Sequence, residues 1–100
     1  MGVQITDFRP YTKNTLQGFL TLRMTSVGLE IRDLALHQKN GKQWLQLPAK
    51  PYQKPDGGQG WNYIISFYEK PTFKQFQEVA LKALEAFRRQ AKRNNDGYKT

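Results

Sequence analysis

Hydrophobic and polar residues alternate along the first half of the chain with the period of two that is typical of β-strands with one buried face. In the clearest example, Leu20, Leu22 and Met24 fall on one side of a strand with polar residues between them. The same pattern predicts five strands, and Pro10 is expected to end the first of them or to mark a sheet edge. The predicted strands cover residues 5–9, 19–24, 29–36, 44–47 and 61–68.

The third predicted strand changes phase half-way along. Its apolar residues lie at odd positions up to Ile31 and at even positions from Leu34 onwards. A β-bulge near Arg32-Asp33 would return both halves to the same face of the sheet. A hairpin is expected next, because both residues of Asn40-Gly41 tolerate the positive φ angles of a type I′ turn.

The segment 48–60 is rich in proline and glycine and predicts a long loop, a feature that is often linked to function. Within this loop, Gly57–Gly60 lacks the lysine and the following helix of a phosphate-binding P-loop. It is therefore interpreted as a mobile hairpin.

One amphipathic helix is predicted after the strands. Thr72 as the N-cap and Gln75 three residues later match a capping box, and Asn94–Gly97 is expected to end the helix. Leu81 lies off the apolar stripe, which predicts either an ordinary exposed leucine or a contact between subunits. The stripe, which is expected to face the core, consists of Phe76, Val79, Ala80, Ala83, Leu84 and Phe87.

These elements predict an α+β fold in which an antiparallel sheet of four to five strands is packed by one C-terminal helix. Because one helix covers a twisted sheet only in part, we expect a homodimer. The length suits a single domain over residues 1–93 with a frayed tail over 94–100. The N-terminus does not resemble a signal peptide, and no apolar run is long enough to span a bilayer, which predicts a cytoplasmic protein that does not bind membranes.

Positive charge is the strongest compositional signal. The chain has 16 Lys and Arg residues against 8 Asp and Glu, a net charge of +8. Two segments carry most of the excess: residues 36–60 hold four lysines against Asp56 alone, and residues 86–100 hold five cations against Asp96 alone. Such an excess favours an anionic partner.

Catalytic and metal chemistry find little support in the sequence. The absence of cysteine excludes disulfides, thiolate nucleophiles and metal centres built on sulfur. The single histidine, His37, has no acid or serine in a catalytic pattern beside it and is interpreted as a surface residue. Asp7 and Asp33 could meet across strands, but two acids alone define neither a glycosidase nor a metal site. The sequence thus predicts no enzyme, cofactor, metal site or small-molecule substrate.

Lysines and aromatic residues interleave between residues 39 and 61, a pattern typical of surfaces that bind nucleic acid. Trp44 alternates with Leu45 and is expected on the face opposite the core, although it could instead pack beneath the loop or at a dimer contact. Trp61 could simply anchor the glycine-rich loop, and the basic run near residue 90 could either bind phosphate or stabilise a helix C-terminus. The candidate nucleic-acid-binding residues are Lys39, Lys42, Trp44, Lys50, Tyr52, Lys54, Trp61, Arg88, Arg89 and Lys92.

Several short motifs match one known family. They are Ile5, Asp7 and Arg9 in the first strand, Ile31–Leu34 in the third, Gly41 with the run Trp44–Lys50, and the turn Pro55–Gly57. From Ile5 to Leu84 the chain thus resembles the SpoVG septation and sporulation regulators. The resemblance implies a dimer that binds DNA or RNA with little regard to site, with Lys50 and Lys54 touching the backbone. The order of elements is also similar to that of single-strand-binding transcriptional coactivators.

The sequence therefore predicts a regulatory protein that binds nucleic acid with low sequence specificity. The ligand is either RNA or DNA, and the DNA could be single-stranded. No recognition helix or zinc finger is present to read base edges in order. The alternative is a protein-interaction module or structural dimer, in which exposed aromatic residues bind a partner protein and the positive charge only aids solubility.

Overall fold

Two antiparallel sheets and one helix make up the fold, which confirms the predicted α+β class. The computed structural model describes the backbone of residues 1–98 and the side chains of residues 1–92. The main sheet has the order β1-β2-β3-β4, while β5 and β6 pair with each other in a second sheet. The elements are β1 (Val3–Lys13), β2 (Leu16–Met24), β3 (Leu29–Lys39), β4 (Lys42–Gln46), β5 (Ala49–Gln53), β6 (Gln59–Tyr63) and α1 (Lys70–Tyr98).

The hydrophobic core lies between one face of the main sheet and α1. Phe76, Ala80 and Leu84 of the helix follow one another at a spacing of four residues and are buried, as the predicted stripe requires. Burial of each large side chain contributes roughly 1.5–3 kcal/mol of favourable transfer free energy. The sheet contributes Ile5, Leu20, Leu22, Met24, Ile31, Leu34, Leu36 and Leu45, and Leu47 follows β4.

The predicted bulge in β3 is confirmed. Leu20 pairs with Leu34 and Leu22 pairs with Ile31, so two residues of β3 lie opposite Thr21 of β2. The second of these, Asp33, has a φ angle of 60°. The extra residue restores the apolar positions on both sides of the bulge to the core face.

The predicted hairpin between β3 and β4 is also confirmed. Asn40 and Gly41 have φ angles of 53° and 78°, as a type I′ turn requires. The pairing therefore begins at Lys39 opposite Lys42 and continues with residues equidistant from the turn.

The predicted start of the helix, with Thr72 as its N-cap, was wrong. The helix begins at Lys70, and the amide of Phe73 donates to the carbonyl of Glu69 at 3.1 Å, so Thr72 lies inside the first turn and is not the N-cap. Proline is tolerated in a first turn, which allows Pro71 to lie within the helix. Leu81 is partly buried against the core and is not an ordinary exposed leucine.

The C-terminal end of the helix also differs from expectation. Helix α1 extends to Tyr98, beyond the stop predicted at Asn94–Gly97. The division into a domain over 1–93 and a frayed tail over 94–100 stays a prediction. The side chains from residue 93 onwards and the last two residues lie outside the described part of the chain.

The predicted long loop over 48–60 contains a strand, so this prediction was wrong. Strand β5 pairs with β6 in a hairpin. The last strand, predicted at 61–68, begins two residues earlier and ends five residues earlier than expected, at Gln59–Tyr63. Each strand of a two-stranded sheet has a free edge, which tolerates Pro51 although it lacks an N–H group. We call residues 49–63 the arm. Among the described residues, no helix is long and apolar enough to cross a membrane.

Candidate nucleic-acid interface

One face of the main sheet points away from α1, and we call it the open face. Its residues alternate along the strands with the buried leucines of β2, β3 and β4. The cross-strand register places Phe19 beside Ala35, Ala35 beside Gln46, and His37 beside Trp44 on this face. The predicted position of Trp44 opposite the core is confirmed.

His37 and Trp44 form a stacked pair at the centre of the open face. Their ring centroids lie 5.4 Å apart and their planes differ by 10°. The Nε2–H of His37 donates to Gln46 Oε1 at 3.0 Å, because an amide oxygen only accepts. In the neutral ring, Nδ1 then accepts from the Thr15 hydroxyl at 2.9 Å. These two bonds fix the imidazole under the indole.

The interpretation of His37 as an unremarkable surface residue was therefore wrong. The side chain is half-buried and both ring nitrogens have partners. A signal for the pair was present in the sequence, because His37 and Trp44 are equidistant from the two-residue turn at Asn40-Gly41, and such residues face each other in a hairpin.

Two lysines form the next pair along the same hairpin. Lys39 lies directly opposite Lys42, and both share the alternation of His37 and Trp44. Like charges directly opposite each other destabilise a strand pair. Among the described side chains, neither lysine forms an ion pair, so their charge is available to an external anion.

All three arginines of the main sheet, in contrast, have acidic partners. Glu30 binds Arg23 at 3.1 Å and Arg32 at 2.9 Å. The hydrogen bond from Arg23, and after it the one from Arg32, lowers the pKa of the Glu30 carboxyl. Arg9 Nη2 likewise binds Asp33 Oδ1 at 2.8 Å. The net positive charge of the sheet is therefore carried by lysines.

Two depressions flank the His37–Trp44 pair. The first, of about 440 Å³, lies on the open face and is bordered by Trp61 and Lys13. The second, of about 740 Å³, lies at the β4 edge and is bordered by Trp44, Lys42 and Tyr63, and also by Lys74 of α1. Sequence reasoning missed Lys13, Tyr63 and Lys74, because only the tertiary fold brings them to this surface.

The arm divides the candidate residues between its two sides. Trp61 and Tyr63 alternate with Asn62 and share one side, and they are 52% and 55% exposed. Lys50 pairs with Asn62 and therefore lies on the other side, together with Tyr52. Lys50 and Tyr52 thus do not share a surface with Trp61.

Tyr52 has a structural partner in Gly60. The two residues are paired across the arm, and a Cβ atom at Gly60 would lie 2.5 Å from Tyr52 Cζ. The ring therefore covers the glycine, which is buried. Lys54 begins the turn of the arm, where its amide donates to the Gly58 carbonyl at 2.7 Å.

The predicted binding residues of α1, namely Arg88, Arg89 and Lys92, do not border either depression. The guanidinium of Arg88 lies 4.6 Å from the centroid of the Phe8 ring, and Phe8 is on the core side of β1, where it packs against the buried cluster. Arg89 and Lys92 are exposed on the same helix. The structure therefore does not unite these three predicted residues with Trp44, and Arg93 and Lys99 lie outside the described side chains.

The carboxylates of β1 and β3 are bound to arginines. Among the described residues, no three His, Asp or Glu side chains cluster in a way that could hold a metal ion. Asp7 and Asp33 both bind Arg9, at 3.6 and 2.8 Å. No family model, no curated protein and no solved structure matches the chain.

Proposed function

We propose that the protein is a regulator that binds single-stranded nucleic acid, DNA or RNA, with low sequence specificity through the open face of its main sheet. The observation that carries the proposal is the succession of pairs on the β3–β4 hairpin. The stacked rings of His37 and Trp44 are followed on the same face by Lys39 opposite Lys42.

The two pairs match the two chemical parts of a single strand. A base that is free of a duplex can stack on an aromatic ring, which contributes about 1–3 kcal/mol per base. The lysines neutralise phosphates and release counterions. Because every base has a flat face, this mode of binding is tolerant of sequence, and it requires bases that are not already paired.

Other features support the same class of ligand. The resemblance to the SpoVG regulators points to a nucleic-acid-binding dimer, and Lys13 and Lys74 border the two depressions beside the aromatic pair. The proposal includes a homodimeric state and a cytoplasmic location. The mass of the protein in solution tests the former.

The proposal is tested by titrating the protein with a fluorescent homothymidine strand and with a duplex at several salt concentrations. We expect the single strand to bind more tightly, and the logarithm of the affinity to fall linearly with the logarithm of salt. Absence of binding to both at low salt contradicts the proposal.

Matched variants show which surface binds. Replacing Lys39 and Lys42 together with glutamine should weaken binding to all sequences and reduce the salt slope by about 2, since each phosphate contact contributes about 1. The pair Lys70→Gln and Lys82→Gln changes the net charge equally at exposed positions of α1. An equal loss in both double variants would show that only net charge matters.

A second candidate function is a protein-interaction module, and a specific observation favours it. Four large apolar side chains that follow one another in and after β6 are exposed: Trp61, Tyr63, Ile64 and Tyr68. Trp61 and Tyr63 share one side of the arm, and exposed apolar surface of this kind marks interaction sites. This candidate predicts that no oligonucleotide binds, and that replacing Trp61 and Tyr63 alters association with a partner protein.

A further inference from the structure

The depression between Trp61 and the open face has the size and the polar groups of a site for one base. We propose that it binds a single unstacked guanine base, an inference that rests on the proposed function and names its preferred nucleobase. The volume of about 440 Å³ lies in the range of small-molecule sites. It exceeds that of a base, so the ring can enter with part of its sugar.

The sheet leaves room for a ring at this place. Ala35 lies between Phe19 on β2 and Gln46 on β4. The small side chain of Ala35 thus has a larger side chain on each side of it. Trp61 of the arm borders the same depression and is half exposed. Phe19 and Trp61 both line the depression, so a flat base that enters it has two aromatic side chains to contact, as unpaired bases of a single strand do in many complexes.

The bulge in β3 brings a carboxylate to this depression. Asp33 lines it with a φ angle of 60°, a conformation that residues other than glycine rarely adopt. Such positions occur often at binding sites, and bulges redirect side chains there. Asp33 Oδ1 accepts from Arg9 at 2.8 Å, which balances the charge of the carboxylate and leaves Oδ2 without a partner among the described residues.

The polar groups select guanine by their chemistry. Guanine alone presents two adjacent N–H donors, N1 and N2, on its Watson–Crick edge. These suit a carboxylate whose Oδ2 has no partner among the described residues and whose Oδ1 keeps a second lone pair beside the bond from Arg9. Thymine and uracil present carbonyls on both sides of their single N–H, and a carboxylate repels these. Adenine and cytosine each offer one amino group beside a ring acceptor.

Gln46 supplies the complementary donor. Its Oε1 accepts from His37, which directs the Nε2 amide group of Gln46 away from that bond and leaves it free to donate to a base carbonyl. Asp33 and Gln46 flank Ala35 on the open face, so an acceptor and a donor border the same small space. Phosphate is the less suitable occupant because a carboxylate lines the depression.

The test uses homothymidine strands that carry one central guanine, adenine or cytosine, compared with the unmodified strand by fluorescence anisotropy. One good two-bond contact to a base edge discriminates by about tenfold, so we expect the guanine strand to bind about tenfold more tightly than the other three. Equal affinity for all four strands overturns the guanine site and leaves the proposed function intact. Absence of binding to every strand overturns both.

Two variants assign the preference to Asp33. Asp33→Asn keeps a residue that tolerates positive φ, and we expect it to abolish the guanine preference, so that the guanine strand binds no more tightly than the homothymidine strand. Asp7→Asn is the matched control, because Asp7 also binds Arg9 but does not line the depression. The control should keep the preference. A preference that survives in Asp33→Asn, or disappears in both variants, contradicts the proposal.

Discussion

The side-chain amide of Gln77 forms two hydrogen bonds with the backbone of Leu45. The Leu45 amide donates to Gln77 Oε1 at 2.8 Å, and Gln77 Nε2 donates to the Leu45 carbonyl at 2.6 Å. Leu45 lies in the edge strand β4, and both of its backbone groups point away from β3. Gln77 thus takes the place of a further strand at this point and fastens α1 to the sheet beside Trp44.

Replacing Gln77 with alanine should lower the free energy of unfolding by about 1–3 kcal/mol, because it leaves two backbone groups at the edge without their partner. Urea unfolding measures the change. Gln75→Ala is the control, since Gln75 is exposed two residues earlier on the same helix. Equal effects of the two substitutions would mean that the amide of Gln77 does not stabilise the edge.

Gly18 is required because of a close approach between strands. A Cβ atom there would lie 2.6 Å from the backbone oxygen of Arg9 and 2.7 Å from Phe8 Cζ. Gly18→Ala should therefore destabilise the protein by about 1–3 kcal/mol, as other overpacked sites do. At Gly2 the nearest atom is the hydroxyl oxygen of Thr25, an exposed side chain that can turn away. Gly2→Ala should therefore have little effect. Thermal unfolding of both variants measures the difference, and an equal loss of stability in the two would contradict this account.

Gly41 controls the hairpin that presents the aromatic and lysine pairs. Its φ angle of 78° lies in the left-handed region, and no atom of the described residues lies within 4 Å of an added Cβ. Gly41→Ala should cost about 1–2 kcal/mol of stability from backbone strain alone. Asn40→Gly preserves the turn type, and its effect on the free energy of unfolding should be several times smaller than that of Gly41→Ala. The comparison is made by urea unfolding, and an equal effect of the two would exclude the type I′ turn as the cause.

The pKa of Glu30 gives stability a dependence on pH. Its hydrogen bonds to Arg23 and Arg32 lower the pKa below the ordinary value of 4.5. A carboxyl with a lowered pKa in the folded state stabilises the protein above 4.5, and this contribution is lost as pH falls through the folded value.

Titration of the Glu30 side chain by NMR should therefore give a midpoint below 4.5. The wild type should lose stability as the pH falls from 4.5 to the pKa of Glu30 in the folded protein, and Glu30→Gln should reduce this loss. A midpoint at or above 4.5 would show that the two guanidinium groups do not hold the carboxylate.

Local patterns in the sequence predicted those parts of the fold that depend on neighbours along the chain. The phase change around Arg32-Asp33 located the bulge, and Asn40-Gly41 located the hairpin. The strand β5 was missed because the proline content of the segment favours a loop, whereas a free edge accommodates Pro51. The early start of α1 was missed because Thr72 offered a suitable cap within a helix that had already begun.

The candidate site was predictable only in part for the same reason. Alternation placed Trp44 opposite the core, and the hairpin register would have paired it with His37. The position of Trp61 near the open face depends on how the arm leaves the sheet, which no local pattern encodes. The second charge run along the chain also made Arg88 a candidate, although α1 carries it to the core side of the sheet, away from the lysines of β3 and β4.

The central claim is that the open face of the main sheet, and not the basic end of α1, receives a single strand. NMR spectra of the labelled protein during titration with a homothymidine strand test it most directly. The account predicts that the indole N–H of Trp44, the ring of His37 and the amides of Lys39 and Lys42 shift together as binding proceeds. Shifts confined to Arg88–Lys92, or spectra that do not change at low salt, would contradict it.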